Sequence, residues 1–258
     1  MNQNTKSIQS VQRAVDIINC VGYNSQGLTL KEISERLELN INTVRGLVNT
    51  LLHNGYLSKN QTTSSYALGF EFLSKSKRAY DMQIRGIYEI AFPHMTALAE
   101  KYNVTCWFQV AFYHDICTVD TVVPTNSHYA YVTKYGDRLP LHSSASGKLL
   151  LVFLPCEERA KVVENLELIK YTDYTITDKG QLYKELDKVC ADGYSTELEE
   201  MDLGIGSIAA PYFNSGAALA GTLSVAAPVP IIHRTHKQIA ADLLRCGNII
   251  TSEISKTR

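Results

Sequence analysis

Residues 141–155, "LHSSASGKLLLVFLP", gather the side chains best able to do chemistry: His142, the serines beside it and the pair Gly147-Lys148. Three catalytic arrangements can be tested by spacing alone. A phosphate loop of the Gly-x-x-x-x-Gly-Lys-Ser/Thr kind fails, because His142 stands where the first glycine belongs and Leu149 follows the lysine. A nucleophile elbow, Gly-x-Ser-x-Gly, fails at Ser146, which is flanked at those positions by Ser144 and Lys148. A Ser-x-x-Lys pair fails because Ala145 occupies the serine position. What remains is a turn of small residues opening an apolar helix. Unpaired N–H groups at a helix start favour a carboxylate or phosphate, and the small side chains of Ser144, Ala145, Ser146 and Gly147 leave room for one. The stretch reads as the lip of a ligand pocket.

No catalytic residue, metal or cofactor is assigned. His128 and His142 could each titrate near neutral pH or bind a metal, but neither has a second ligand at metal spacing. The six cysteines (Cys20, Cys106, Cys117, Cys156, Cys190, Cys246) are scattered without a Cys-x-x-Cys pair, which argues against a disulfide scaffold and a zinc module. Most of them are expected to be small buried apolar residues.

A second constellation lies in "NINTVRGLVNTLLHNGYL", residues 40–57. If this is a helix with Val44, Leu47, Val48 and Leu51 inward, its other face carries Asn42, Thr43, Arg45, Gly46 and Asn49, with Asn40 as cap. Asn and Arg address base edges, while Thr and a helix start suit phosphates. Gly46 permits close backbone approach at a helix cost of about 1 kcal/mol relative to Ala. Those residues, with Lys59 downstream, form a candidate surface for double-stranded DNA.

The elements that must position these groups follow from periodicity. "SVQRAVDIINCV" puts Val11, Ala14, Val15, Ile18 and Val21 on one stripe behind a cap at Ser10. "TLKEISERLEL" opens with Thr29 and Glu32 at capping-box spacing and carries Leu30, Ile33 and Leu37. Only "LELN" separates it from the third helix, the tight link of a helix-turn-helix, and Gly55 is placed to end that helix. The β-prone runs "YLSKN" and "SYALG" around "QTTSS" then predict a hairpin, which in this position is the wing of a winged helix.

Residues 70–101 are helical in pattern, with an exposed "SKSKRAYDMQ", a new helix from about Ile84 and a kink or restart at Pro93. Beyond them the runs "TCWFQVAFYHD" and "ICTVDTVV" read as paired strands, and helices are expected around 146–154, 157–166 and 179–191. Strands return at "GYSTELEE", "SIAAPYF" and "ALAGTLSVAAP", the last two joined at Asn214-Ser215-Gly216. A closing helix is expected after "HRT", with Thr235 and Gln238 as its capping box. The expected fold is α+β with a mainly antiparallel sheet, divided as 1–69 for DNA, 70–83 for a helical connector and 84–258 for a ligand domain.

Composition is that of a soluble globular chain, with 45% hydrophobic and 20% charged residues in 258. No apolar run reaches the roughly 18 residues of a membrane span, and the first ten residues lack a signal-peptide core. A cytoplasmic location without membrane partners is expected. Residues 1–80 carry nine basic and five acidic side chains, a balance of +4 that leaves −5 for the rest. A basic front on an acidic body suggests that only the front meets a polyanion.

At the winged helix the chain resembles the IclR family of bacterial transcriptional regulators, through "SVQRAVDIINCV", "LTLKEISERLELNINTVRGLVNTLLHNGYL" and "YALGFEFL". The family's typical third-helix opening, Pro-Lys-Ser-Thr, stands here as Asn40-Ile41-Asn42-Thr43, so its operator preference does not carry over. The resemblance continues in "LPLHSSASGKLLLVFLP" and "GYSTELEEMDLGIGSIAAPYFNSGAALAGTLSVAAP", which are similar to the signature stretches of the family's GAF-like effector domain. It implies an effector pocket with Tyr131, Leu139, Ala145 and Ser146 on one side and Glu197, Ser207, Ser224 and Ala226 on the other. Members that take small oxo-acids tend to have a second serine where Ala226 stands. That departure, with the ring of Tyr131, favours an aromatic or longer carboxylate. Some members bind zinc in this domain.

The resemblance further implies a ligand-responsive regulator, a repressor in this reading, working on operator DNA as a homodimer or tetramer through the first helix and the connector. Two other classes stay open at this point. One is a small hydrolase using Ser146, Cys106 or Cys117 with His142; the other is a ligand-free architectural DNA-binding protein.

Overall fold

The computed structural model describes residues 8–127, 131, 133 and 135–256, which form two compact units, Met1–Arg85 and Gly86–Arg258. His128 lies outside the described residues.

The first unit opens with α1 (Gln9–Gly22), α2 (Leu30–Arg36) and α3 (Ile41–His53). The Thr29–Glu32 capping box forms at the start of α2, and Asn40 caps α3 by accepting from the Asn42 N–H. Four residues join α2 to α3, with Glu38 in the left-handed region at φ +52°. Gly55 supplies another left-handed residue, φ +75°, just past α3, where a side chain would be strained. The hairpin β1 (Leu57–Lys59) and β2 (Tyr66–Leu68) follows, and α4 (Glu71–Gln83) carries no buried residue, as its polar sequence predicts. The small core joins Ile17, Val21, Leu28, Ile33, Val44, Val48, Leu57 and Tyr66.

Two expectations about α1 are corrected. Its cap position is Ile8, with no side-chain hydrogen bond, and Ser10 lies inside the helix. Its buried residues are Ile17 and Val21, while Val11 and Val15 are 58% and 43% exposed. Val21 is buried as the stripe expects, and the core of this unit draws on α1 through Ile17, Val21 and the adjoining Cys20.

The second unit is built on a five-stranded antiparallel sheet in the order β4-β3-β7-β6-β5. The strands are β3 (Thr105–Phe112), β4 (Asp115–Val122), β5 (Ser195–Leu198), β6 (Ile205–Phe213) and β7 (Leu219–Pro228). Helix α5 (Arg85–Tyr102) precedes them and α9 (Val229–Lys256) closes the chain. Helices α6 (Ala145–Phe153), α7 (Cys156–Asn165) and α8 (Lys179–Asp192) lie between β4 and β5.

Successive strand residues point to opposite faces, and two neighbours on β3 show which face meets what. The ring of Phe108 lies 5.6 Å from that of Tyr88 on α5, whereas the adjacent Gln109 accepts from Ser146 on α6. The α6 face is sealed by an apolar cluster including Ile116, Leu149, Leu151, Leu182, Leu186 and Ala209.

Three further expectations fail here. Helix α5 runs through Pro93 without the restart that was one of the two expected outcomes there. Helix α9 begins at Val229, six residues ahead of Thr235, whose hydroxyl donates back to the Ile231 carbonyl instead of capping. Of the six cysteines only Cys106 and Cys246 are buried, and Cys156 and Cys190 are exposed.

Candidate functional site

On the first unit, Asn40, Asn42, Arg45, Gly46, Asn49 and Lys59 are exposed and Thr43 is half-buried. Val44 and Val48 anchor the inner side of α3, so the periodicity that fills the core turns these polar groups outward. The Arg45 guanidinium donates to the Asn42 side-chain amide oxygen at 3.1 Å, which pre-orients both side chains on the first two turns. A Cβ at Gly46 would meet nothing within 4 Å. Packing within the chain therefore does not require that glycine, and a helix interior normally disfavours it. Lys59 stands on the hairpin with its ammonium 5.7 Å from the Tyr66 ring centre. The hairpin tip, exposed at Gln61, Thr62, Thr63 and Ser64, was read only as a polar connection, yet the Asn60 side-chain oxygen accepts from the Thr62 and Thr63 N–H groups and organises them into a defined turn.

On the second unit, a cleft partly open to solvent lies between α6 and its face of the sheet. Tyr131, Leu139, Ala145, Ser146, Glu197, Ser207, Ser224 and Ala226 all line it, so the structure brings together every residue expected on both sides of a pocket. Strand register places them: Trp107 stands opposite Ser224, and Ala226, Ser207 and Glu197 form one cross-strand row. Ser144, already read as part of the lip, lines it too, and Trp107, Gln109, Thr133, Met201, Asp202 and Ile205, which were not anticipated, complete the lining. The readable signal was Gln109, a polar residue inside the apolar run of β3, which is 1% exposed.

The floor is a hydrogen-bond cluster centred on Gln109, whose side-chain carbonyl accepts from Ser146 at 2.5 Å, Thr222 at 2.7 Å and Ser224 at 3.0 Å. At the opposite end, Glu197 accepts from the N–H groups of Glu200 and Met201 at 2.7 and 3.2 Å and from the Ser207 hydroxyl at 3.1 Å. Burial raises its pKa, against the pull of the Met201 N–H and Ser207. The Tyr131 hydroxyl donates to the Asp202 carboxylate. Ser144 caps α6 by accepting from the Gly147 N–H.

Gly147 itself needs a correction. A side chain there would sit 2.5 Å from the Pro140 carbonyl and 2.6 Å from the Leu141 Cα, so its smallness lets α6 pack on residues 140–141 and does not make room for a ligand.

Lys148 is fully buried behind the cleft. Its ammonium lies 2.5 Å from Glu200 and 3.5 Å from Glu185, and it donates to the Thr196 carbonyl at 3.1 Å. Burial pushes the Glu200 carboxyl up to about 7, outweighing the attraction of Lys148, and the neighbouring Glu197 and Glu185 carboxylates add to the rise. A carboxyl raised on folding contributes stability below its unfolded value that is lost as pH rises through its folded value. Stability of this unit is therefore expected to fall between about pH 4.5 and about pH 7. Glu200→Gln, which cannot titrate, should flatten that slope in urea unfolding measured across this range. An unchanged slope would place the titration elsewhere.

His142 donates from Nε2 to the Ile169 carbonyl at 2.9 Å, and burial lowers its pKa. Ser146 is engaged with Gln109, and among the described residues no hydrogen bond joins it to His142. No helix of the described residues is long and apolar enough to cross a membrane. No group of three or more His, Cys, Asp and Glu residues that could hold a metal occurs among them.

Two family models match the chain, the IclR helix-turn-helix domain over residues 10–61 and "Bacterial transcriptional regulator IclR C-terminal" over residues 81–252. The chain is 30% identical over 234 residues to the HTH-type transcriptional regulator Rv1719 of Mycobacterium tuberculosis, covering 88% of this chain and 85% of that one. It also resembles the crystal structure of a putative IclR transcriptional regulator from a Silicibacter species, with TM-score 0.86, 20% identity and 95% and 96% of the two chains covered. An IclR homolog from Microbacterium hydrocarbonoxydans complexed with 4-hydroxybenzoate matches with TM-score 0.73, 20% identity and 96% and 100% coverage.

Proposed function

The chain belongs to the IclR family of bacterial transcriptional regulators, and from that premise we propose that it is a repressor whose operator binding is governed by a small organic acid, aromatic in this reading. It is a DNA-binding regulator with a ligand-binding C-terminal domain; the sign of regulation and the class of effector are our reading. The observation that carries this reading is the cleft, with a helix N-terminus and hydroxyls at one end and Glu197 at the other. The solved relative that holds 4-hydroxybenzoate supports an aromatic acid for this cleft too.

In this reading α3 enters the major groove, with Asn42, Arg45 and Asn49 toward base edges, Asn40 and Thr43 toward phosphates, Gly46 allowing close approach and Lys59 on the hairpin beside the backbone. Ile8, Val11, Phe70 and Leu73 are 58–83% exposed on or beside α1 and α4, which suits them to contact a second copy in a homodimer or tetramer. Dimeric heads would meet half-sites about 34 Å apart. Residues 70–83 act as the connector between a 1–69 DNA-binding part and an 84–258 effector part, and the protein works in the cytoplasm without enzymatic activity. The acid shifts the arrangement of the heads by binding one arrangement better than the other.

The test is binding to DNA upstream of the chain's own gene against scrambled DNA, at two salt concentrations, with and without a panel of oxo-acids, hydroxybenzoates and sugar acids. A preference of about 10³-fold or more is expected to survive the higher salt and to drop when the effector is added. The same acid at about 100 times its dissociation constant should stabilise the protein by roughly 2.7 kcal/mol. Preference lost with salt would make this a non-specific DNA binder, and indifference to every acid would remove the acid effector.

A further inference from the structure

One wall of the cleft is acidic, and it is joined to the buried charges behind it. Glu197 lines the cleft. Its carboxylate accepts from the Glu200 N–H at 2.7 Å, and the Glu200 carboxyl in turn meets the Lys148 ammonium at 2.5 Å. All three residues are buried.

The two carboxyls differ in what holds them. Donors reach both oxygens of Glu197, the N–H groups of Glu200 and Met201 at Oε1 and the Ser207 hydroxyl at Oε2. Hydrogen bonds of this kind favour the charged form. Glu200 has Lys148 at Oε1, while its Oε2 is buried without a hydrogen-bond partner among the described residues. A buried carboxylate oxygen that nothing donates to is costly, and a proton removes the charge. Of the two, Glu200 is the one suited to hold a proton.

The groups that act on it come from several elements. Lys148 is on α6, Glu197 on β5, and Glu185 on α8 lies 3.5 Å from the same ammonium. His142, just ahead of α6, is close enough to Lys148 for the ammonium to oppose its protonation. Ser207 on β6 and Thr175 contribute only hydroxyls, the second to the Glu200 main-chain carbonyl. One ammonium therefore stands against Glu185, Glu197 and Glu200 before any ligand enters. Burial already brings the Glu200 carboxyl to about 7. A carboxylate entering beside Glu197 is a further like charge, which disfavours ionisation of its neighbours.

We propose that the Lys148–Glu197–Glu200 cluster links effector binding to proton uptake: an organic acid enters the cleft as its anion, a proton from solvent is taken up at Glu200, and the regulator responds to the acid and to acidity together. This rests on the reading of the cleft as an effector pocket and adds a second input to it. If the bound acid raises the proton affinity of Glu200, protons raise the affinity for the acid by the same factor. Affinity is then highest below the folded value of Glu200 and falls as pH rises through about 7.

The native chain and Glu200→Gln, which keeps an oxygen for Lys148 but cannot take up a proton, are titrated calorimetrically with 4-hydroxybenzoate and with whichever other acid of the panel binds. Titrations in phosphate and in Tris, whose ionisation heats differ, count the protons moved. The carboxyl of such an acid stays ionised across the range used. The native chain is expected to take up about half a proton or more per acid bound near pH 7.5, and to bind about fivefold more weakly at pH 8 than at pH 6. Glu200→Gln should take up less than about a fifth of a proton and change its affinity less than about twofold over that range. Infrared difference spectra of the native chain with and without the acid need no variant: a neutral-carboxyl C=O band should appear as a carboxylate band is lost. Binding without proton uptake, uptake undiminished in Glu200→Gln, or uptake without the neutral-carboxyl band overturns the proposal and leaves the effector reading standing. A native chain that binds no acid of the panel overturns the effector reading as well.

Discussion

Lys148→Met is expected to destabilise the 86–258 unit by about 3–5 kcal/mol near pH 8, the loss that follows when one partner of a buried ion pair is removed. The ammonium is wholly buried and stands between Glu200 at 2.5 Å and Glu185 at 3.5 Å. Methionine fills nearly the same volume, so the loss reports charge and not a cavity. Without the ammonium the carboxyls of Glu197 and Glu200 ionise at a greater cost in the folded state, so their folded pKa values rise further. The stability that such groups contribute is present below the unfolded carboxyl value and lost as pH rises. The penalty should therefore be larger near pH 8 than near pH 5. Tryptophan fluorescence under urea reads this unit alone, because Trp107 is the chain's one tryptophan and lies in it. A loss below about 1 kcal/mol near pH 8, or one that does not vary with pH, would mean that the pair is not the counter-charge it is described as.

Arg45→Ala is expected to weaken operator binding by about 1–3 kcal/mol, roughly 5- to 150-fold, if Arg45 reads a base edge. The fold should not change, since Arg45 is exposed on α3 and alanine favours a helix. Comparing operator with random DNA separates two roles. A base contact weakens the operator more than random DNA, whereas a phosphate contact weakens both alike and lowers the salt dependence by about one unit. Effector affinity, measured on the same variant, should stay as in the native chain. Equal loss of DNA and effector binding would refute the division of labour between the two units, and undiminished operator binding would take Arg45 out of the interface.

Much of the architecture was legible because local chemistry and global packing agree. The Thr29–Glu32 box, the Asn40 cap and Gly55 are each local signals, satisfied within a few residues, and the structure forms them as the spacing predicts. The strand runs were equally plain, since alternation and turn residues mark them without knowledge of their partners. The failures have one cause in common. Ser10, Thr235 and the Val11–Val15 stripe are all locally plausible, but helix starts and helix rotation are set by what the helix packs on. Pro93 likewise breaks a helix only where the surrounding contacts let it, and α5 continues through it.

Lys148 shows a signal that was present and passed over. It sits in "ASGKLLLVF", an all-round apolar helix, and such a helix is buried on every side. A lysine there must have a partner, yet its acidic partners lie 37 and 52 residues later, too far to pair by inspection. Gln109 is the same case on a strand.

By itself, then, the sequence determined the winged helix, the order of its helices and strands and the polar outer face of α3, because these depend on periodicity and on contacts a few residues long. It also supplied the motifs by which the pocket residues were named. Only the tertiary structure decided which strands are neighbours and in what register, and so put Trp107 opposite Ser224 and aligned Ala226, Ser207 and Glu197 across three strands. Residues separated by as much as 117 positions meet there, as Trp107 does Ser224, through pairing that no local pattern encodes. The cleft and the buried Lys148 cluster both follow from that register.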